Sequence, residues 1–258
     1  MSGQELQAAL LDLPLGGLRF FESIGSTNDE ARAWGSQDAS DLSIVLADEQ
    51  TSGRGRLSRK WFTPPQTALA FSLILRPTPT EIKYPARVTG LGALALTDAI
   101  SKLGLRPQIK WPNDVLINGK KTAGILVEST WTGEMADAFV LGSGINVLRA
   151  SMPPADQVLF PATSIEAELG RPIDRIEFLH DALSSLVAWR FKLGTDEFIK
   201  AWEAVMAFRG EQIQLVKENE QPVKGELLGL QSDGSLQMRA NDKILTVQIG
   251  EIHLRPSV

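Results

Sequence analysis

The sequence predicts an α/β (α+β) architecture: a large body of mixed strands and helices, followed by a small β-barrel. Three observations carry this expectation. The chain has 258 residues, 43% apolar and 22% charged, enough to bury a sizeable core in one large domain or a large and a small one. Up to Phe208, short apolar runs alternate with segments of helical period. After Gly210 only short strands at close spacing remain, separated by polar turns. The boundary is expected near Arg209, giving domains 1–209 and 210–258.

Ser2 to Leu11 suits a short helix and Leu18 to Ser23 a short strand. Ser26-Thr27-Asn28-Asp29-Glu30 reads as a helix start, a capping residue followed by acids and then Ala31 to Trp34. Ile44 to Ala47 is a buried strand. Gly53 to Lys60, with two glycines and four basic side chains, is a loop. Ala68 to Leu75 is a strand, stopped by Pro77 and Pro79. Val88, Leu91, Leu94, Ala95 and Ile100 place a buried-face helix over 84–103. Strands follow at Ile109 to Pro112, Val115 to Asn118, Ala123 to Ser129 and Ala138 to Asn146, with Asn118-Gly119 as a hairpin turn. Asp174 to Phe191 and Asp196 to Phe208 are amphipathic helices. The last strands are Ile213 to Val216, Val223 to Leu230, Ser235 to Met238 and Ile244 to Ile249, with a turn at Asp233-Gly234.

Composition narrows the chemistry. A formal net charge of -5 gives no overall electrostatic footprint for nucleic acid. With no cysteine, thiol nucleophiles, disulfides and cysteine-bound zinc are excluded, which fits a cytoplasmic location. His180 and His253 are too far apart in sequence to suggest a histidine metal site, and no G-x-S-x-G element supports a serine triad. No uncharged apolar run is long enough to span a bilayer. Asp12 and Pro14 interrupt the apolar start, so neither a membrane partner nor a targeting signal is expected.

Five segments could carry chemistry, each with a plainer alternative. Arg54, Arg56, Arg59 and Lys60 fall within seven residues, with no acid between Thr51 and Thr80. Gly53 and Gly55 let backbone approach a ligand, and arginine forks suit phosphate or carboxylate; a solvated basic loop or a nucleic-acid contact would look the same. Trp61-Phe62 could add a stacking surface or simply be core. Lys110-Trp111-Pro112-Asn113-Asp114 presents a lysine, an amide and a carboxylate at a bend, because Pro112 forbids a regular strand interior. Lysine can hold phosphate, and Asn113 and Asp114 could orient Mg²⁺ or phosphate oxygens; an ordinary β-turn is the alternative. Lys121 at the start of a strand with Gly124 behind it hints at a ligand across the sheet, against a solvated strand end. Gly142-Ser143-Gly144-Ile145-Asn146 lacks the third glycine of a dinucleotide motif, so a bulged strand is its alternative. Ser26-Thr27-Asn28 serves as a helix cap and can also offer polar groups to a ligand.

Taken jointly and in order, these segments resemble the biotin–protein ligase family. The resemblance runs through Ser26 to Asn28, Asp48 to Arg56, Arg59 to Trp61, Lys110 to Asp114, Lys121 to Glu128, Gly142 to Asn146, Ala162 to Ser164 and Gly250 to Arg255. It implies a catalytic domain like class II aminoacyl-tRNA synthetases and an SH3-like barrel. It further implies that biotin and MgATP form biotinyl-5'-AMP, and that a lysine of a biotin carboxyl carrier domain then takes the biotin. Carried over residue by residue, it gives biotin Ser26, Thr27, Asn28 and Gln50, and puts Gly53, Arg54, Gly55 and Arg56 in a loop folding over biotin and adenylate. Gly124 and Gly142 leave room for the biotin tail. Lys121 reaches the biotin carboxylate and the α-phosphate. The ATP side takes Arg54, Arg56, Arg59, Lys60, Trp61, Lys110, Asn113, Asp114, Asn146 and Arg255, with Asn113 and Asp114 also facing Mg²⁺. Lys121, Arg56 and Lys110 are the expected catalytic cations.

Bifunctional members carry a winged helix-turn-helix ahead of these motifs. Only about two dozen residues precede Ser26 here, so repression through DNA is not expected. Leu57-Ser58 stand where some relatives have Arg-Gly. Two other readings stay open: a lipoate or octanoate ligase of the same superfamily, and a non-catalytic nucleic-acid-binding module whose affinity would fall steeply with salt.

Overall fold

Two sheets organise the chain in the computed structural model. It describes residues 1–258 apart from 133–134, 155, 157, 159, 218–220, 249–251 and 257–258, and leaves aside the side chains of 58, 131–132, 135, 217 and 252–256. The first sheet has seven strands in the order β1-β2-β3-β7-β6-β5-β4. They are β1 (Gly17–Ile24), β2 (Ser43–Gln50), β3 (Ala68–Leu75), β4 (Pro107–Lys110), β5 (Asp114–Ile117), β6 (Lys120–Thr132) and β7 (Met135–Asn146). β1 and β2 are parallel, joined across helix α2 (Thr27–Gly35), and every other pair is antiparallel. The expected mixed sheet with helices is therefore present.

Alternation along the central strands makes the two faces unequal. Leu69, Phe71 and Leu73 of β3, Ile125 of β6, and Leu141 and Ile145 of β7 join one large core with helices α4 (Pro85–Lys102) and α6 (Arg175–Lys192). With a side-chain period of two, the other face receives Ala70, Ser72, Gly124, Gly142 and Gly144. There α2 packs Ala31 against Val45, Ile74, Ala138 and Val140 at one end only. The rest of that face is a floor of small residues, and the candidate segments gather on it. At the β5–β6 turn, Asn118 and Gly119 both adopt positive φ (50° and 71°), the hairpin geometry their pairing predicts.

Differences from the sequence reading are local. Pro79 opens a short helix, α3 (Pro79–Lys83), rather than only ending a strand: Thr78 and Glu81 form a capping box and proline occupies the first helical position. Helix α5 (Ile165–Leu169) is capped by Ser164 and ends at Gly170 in the left-handed region. Helix α1 (Gly3–Ala9) lies where expected, whereas α7 (Asp196–Ala204) starts as expected but stops four residues short of Phe208, because Ile109 and Val205 to Ala207 pair backbone to backbone there.

The second sheet is antiparallel, in the order β11-β10-β9-β8-β12. Its strands are β8 (Gln212–Lys217), β9 (Val223–Leu230), β10 (Leu236–Ala240), β11 (Lys243–Val247) and β12 (Ile252–Pro256). β12 pairs with β8 across the run Ile252 to Pro256, a strand that periodicity did not predict. Arg87, only 2% exposed, holds the β9–β10 turn to the large body: Nε donates to the Ser232 carbonyl at 2.8 Å, Nη2 reaches the same oxygen, and Nη1 donates to Leu193 O at 2.5 Å. Among the described residues no helix is long and apolar enough to cross a membrane.

Candidate active site

The bend after β4 supplies the centre of the site. Asp114 receives Lys121 Nζ at 2.5 Å on one carboxylate oxygen and has Lys110 Nζ at 3.7 Å from the other. Its neighbour Asn113 is locked by register, since its carbonyl accepts from Ile125 N and its amide donates to Ile125 O, both at 2.9 Å. Arg56 Nη1 then donates to Asn113 Oδ1 at 3.3 Å. Three cations from three separated segments thus meet around one amide and one carboxylate. Burial pushes the Arg56 guanidinium below its ordinary pKa; the Asp114 charge opposes this and Arg59 adds to it. A cation desolvated in this way would be stabilised by an anion brought beside it.

Trp61 roofs the glycine floor. Gly124 and Gly144 face each other across β6 and β7. A Cβ on Gly144 would run into the Trp61 indole, and one on Gly124 would lie 3.3 Å from it and 3.2 Å from Lys121 Nζ. Lys121 Nζ stands 5.4 Å from the indole centroid, within cation–π range. The indole N–H is buried and has no hydrogen-bond partner among the described residues. Between the loop and the bend lies a cavity of about 250 Å³, lined by Arg56, Leu57, Thr89, Pro112 and Leu126 among others.

Ser26, Thr27 and Asn28 are buried at the start of α2. Ser26 occupies the N-cap position but its hydroxyl makes no capping bond. Gln50 caps the helix instead. Its Oε1 accepts from Thr27 N at 2.9 Å and Thr27 Oγ1 at 3.1 Å, while its Nε2 donates to Thr63 at 3.2 Å. Ser72 Oγ lies 2.8 Å from Thr27 Oγ1 and 2.6 Å from Asn28 Oδ1. Asn28 Nδ2 donates to Glu128 at 2.7 Å. The space over Gly142, expected to take a ligand tail, holds the Asn28 amide, which a Cβ there would strike.

The basic segment divides. Arg54 is not gathered at Asp114. It forms a two-pronged pair with Asp29, at 2.5 and 2.6 Å, and lies 3.7 Å from Glu128. Arg54 lowers the Asp29 pKa, and Asp29 raises that of Arg54. Arg59 and Lys60 are exposed; the backbone of Lys60 bridges that of Arg54, and Gly55 N donates to Arg59 O at 2.7 Å. Gly53 sits where a Cβ would lie 2.6 Å from Trp61 O. Asn146 gives its amide to Thr163 O at 3.1 Å, fastening the segment whose backbone also pairs with Lys121. Arg255 lies in β12 with its side chain outside the described residues.

The donor set does not fit a cation held by protein alone. Asp114 already faces two ammonium groups and Asn113 Oδ1 accepts from Arg56. Among the described residues no three acidic or histidine groups gather. Magnesium would need its oxygens from elsewhere. The sequence reading passed over Ser72 and Thr63, and gave no role to Glu128 and Gly144 although both lie in segments it singled out. Ser72 carried a signal, a lone hydroxyl in a strand buried at every position.

Comparison with known proteins gives one answer. Residues 20–146 match the Biotin/lipoate A/B protein ligase family. The bifunctional ligase/repressor BirA of Bacillus subtilis is 33% identical over 241 residues, covering 92% of this chain and 74% of that protein. The biotin–[acetyl-CoA-carboxylase] ligase of Paracoccus denitrificans is 37% identical over 204 residues, covering 76% and 83%. The structure of biotin protein ligase from Aquifex aeolicus in complex with biotin and ATP superposes with a TM-score of 0.78 at 29% identity, covering 93% of this chain and 99% of that one.

Proposed function

The chain belongs to the biotin/lipoate A/B protein ligase family as a biotin ligase, and from that premise we propose that it works through biotinyl-5'-AMP and passes biotin to a lysine of a biotin carboxyl carrier domain. The observation that carries this reading is the meeting of Lys110, Lys121 and Arg56 around Asn113 and Asp114.

The reaction must bring a carboxylate against a polyphosphate. Two unit negative charges about 4 Å apart repel by roughly 4 kcal/mol at an effective dielectric of about 20. Cations at similar range reverse that sign. In this reading MgATP arrives as substrate. Lys121 guides the biotin carboxylate onto the α-phosphorus, where a phosphorus–oxygen bond forms. Arg56 and Lys110 stabilise charge on the phosphoryl oxygens as the bond to pyrophosphate breaks. The ε-amine of the carrier lysine then attacks the acyl carbon, an amide forms, and AMP leaves. The protein needs no covalent nucleophile, in keeping with a chain that has no cysteine. Trp61 and the segment from Gly53 to Lys60 cover the adenylate and keep water from it.

Ser26, Thr27, Asn28 and Gln50 are the proposed partners of the biotin ring, and Gly124 and Gly142 the floor of its tail. Arg54, Arg59, Lys60, Asn146 and Arg255 complete the nucleotide side. We read 1–209 as a catalytic domain of class II synthetase type and 210–258 as an SH3-like domain. The names of the relatives, with biotin, ATP and acetyl-CoA carboxylase in them, support this reading.

Pyrophosphate release from MgATP with biotin, lipoate or octanoate, compared side by side, tests the reading. Release with biotin alone is expected. Equal release with all three, or none with biotin, would overturn it.

A further inference from the structure

We propose that Trp111 is a positioning residue through which the small C-terminal sheet sets the orientation of the Lys110–Asp114 bend, and with it the hold on ATP. This rests on the function proposed above, because it takes that bend to face phosphate.

Trp111 lies between the residues that form the cationic cluster but does not enter it. Its side chain is 1% exposed, and its indole Nε1 donates at 3.1 Å to the carbonyl of Gly234, in the β9–β10 turn 123 positions away. Arg87 grips the same turn through the Ser232 carbonyl. Gly234 has φ +90°, and a Cβ on it would lie 3.3 Å from Trp202 and 3.4 Å from Ala86, so the acceptor carbonyl has little freedom. The strand leading into the bend is tied to the same quarter. Ile109 N donates to Val205 O at 2.7 Å and Ala207 N to Ile109 O at 2.9 Å, just ahead of β8.

Beyond its pairing with β6, the Trp111 side of the bend is fastened twice more, to the small sheet and to the segment that enters it. Biotin's proposed partners on α2 and β2 are held instead by Thr63, Ser72 and Glu128, all within the large body. Asn113 and Asp114 stay paired with Ile125 and Gly124 of β6, so a loosened indole bond would shift Lys110, on the β4 side of the bend, relative to them while leaving Thr27 and Gln50 in place. A purely structural tryptophan would instead affect both substrates alike, or neither.

The test is biotin-dependent pyrophosphate–ATP exchange by the full-length protein, with KM measured for each substrate. Trp111→Phe keeps an aromatic ring and removes the donor; Gly234→Ala shifts the acceptor without touching the bend, should the first variant fold poorly. Each is expected to raise the KM for ATP by roughly fivefold to tenfold, the weight of one buried hydrogen bond, with the KM for biotin unchanged. An equal rise for both substrates, or unchanged constants, would overturn the coupling while leaving the ligase reading intact. A wild-type protein without exchange would overturn both.

Discussion

Asp29 and Arg54 illustrate how a single pair redefines the role of a basic loop. Spacing alone groups Arg54 with Arg56, two residues apart in a glycine-rich run. The structure sends Arg54 to Asp29 in the first turn of α2 and Arg56 to Asn113. Arg54 thus anchors the loop at one end while Arg56 crosses the site. Asp29 has its pKa lowered by this bond. A depressed carboxylate adds stability above its unfolded pKa, and that stability is lost as pH falls through the folded value. Asp29→Asn is therefore expected to lower the unfolding free energy slightly at pH 7, by less than about 1 kcal/mol for so exposed a pair. The gap from wild type should close as pH drops below the usual carboxylate range. A gap that persists at pH 2, read by calorimetry, would count against the pair.

Sequence legibility at this scale followed chemistry rather than contact. Lys110, Asn113, Asp114 and Lys121 stood out because charges beside a proline bend and at the start of a strand have few routine uses. Gln50 capping α2 in place of Ser26 could not be read, since the two are 24 positions apart and meet only through sheet register.

Strand alternation accounts for the site at the level of elements. β3, β6 and β7 place bulky side chains toward α4 and α6 and small ones toward the face proposed to take ligand. The positions of these strands were predictable from apolar runs. Which face each glycine lines was not, because it depends on the antiparallel pairing of Gly124 with Gly144. The short helices α3 and α5 were missed for a related reason: each has five residues, too few to show a helical period. Gly144→Ala should displace Trp61, and Gly142→Ala should displace Asn28. Both variants are expected to fold and to raise the Kd for biotin by about tenfold or more, the weight of a displaced contact. Isothermal titration with biotin measures this directly, and wild-type affinity in Gly144→Ala would show that the floor carries no ligand.

For the whole molecule, the joint between the two sheets matters most. Arg87 sits in α4, and burial lowers its pKa, yet its guanidinium serves the carbonyls of Ser232, Leu193 and Thr195. Arg87→Met would strand these acceptors, at roughly 1–3 kcal/mol for each one left unsatisfied. Urea unfolding is expected to shift to a lower midpoint and to separate into two transitions, the small sheet melting first. A single transition at the wild-type midpoint would mean that the clamp contributes nothing. The break in sequence style near Gly210 made the second sheet legible, but its fastening was not, because a lone arginine in a helix gives no sign of a partner 145 positions away.

Convergence of three cations on one bend is the claim on which the function depends, and exchange of labelled pyrophosphate into ATP, with biotin present and no acceptor protein, measures it most directly. Wild-type protein should exchange, and Lys121→Met should fall by about a hundredfold to a thousandfold with its melting temperature preserved. Exchange by Lys121→Met at the wild-type rate, or exchange that requires the acceptor protein, would contradict this mechanism.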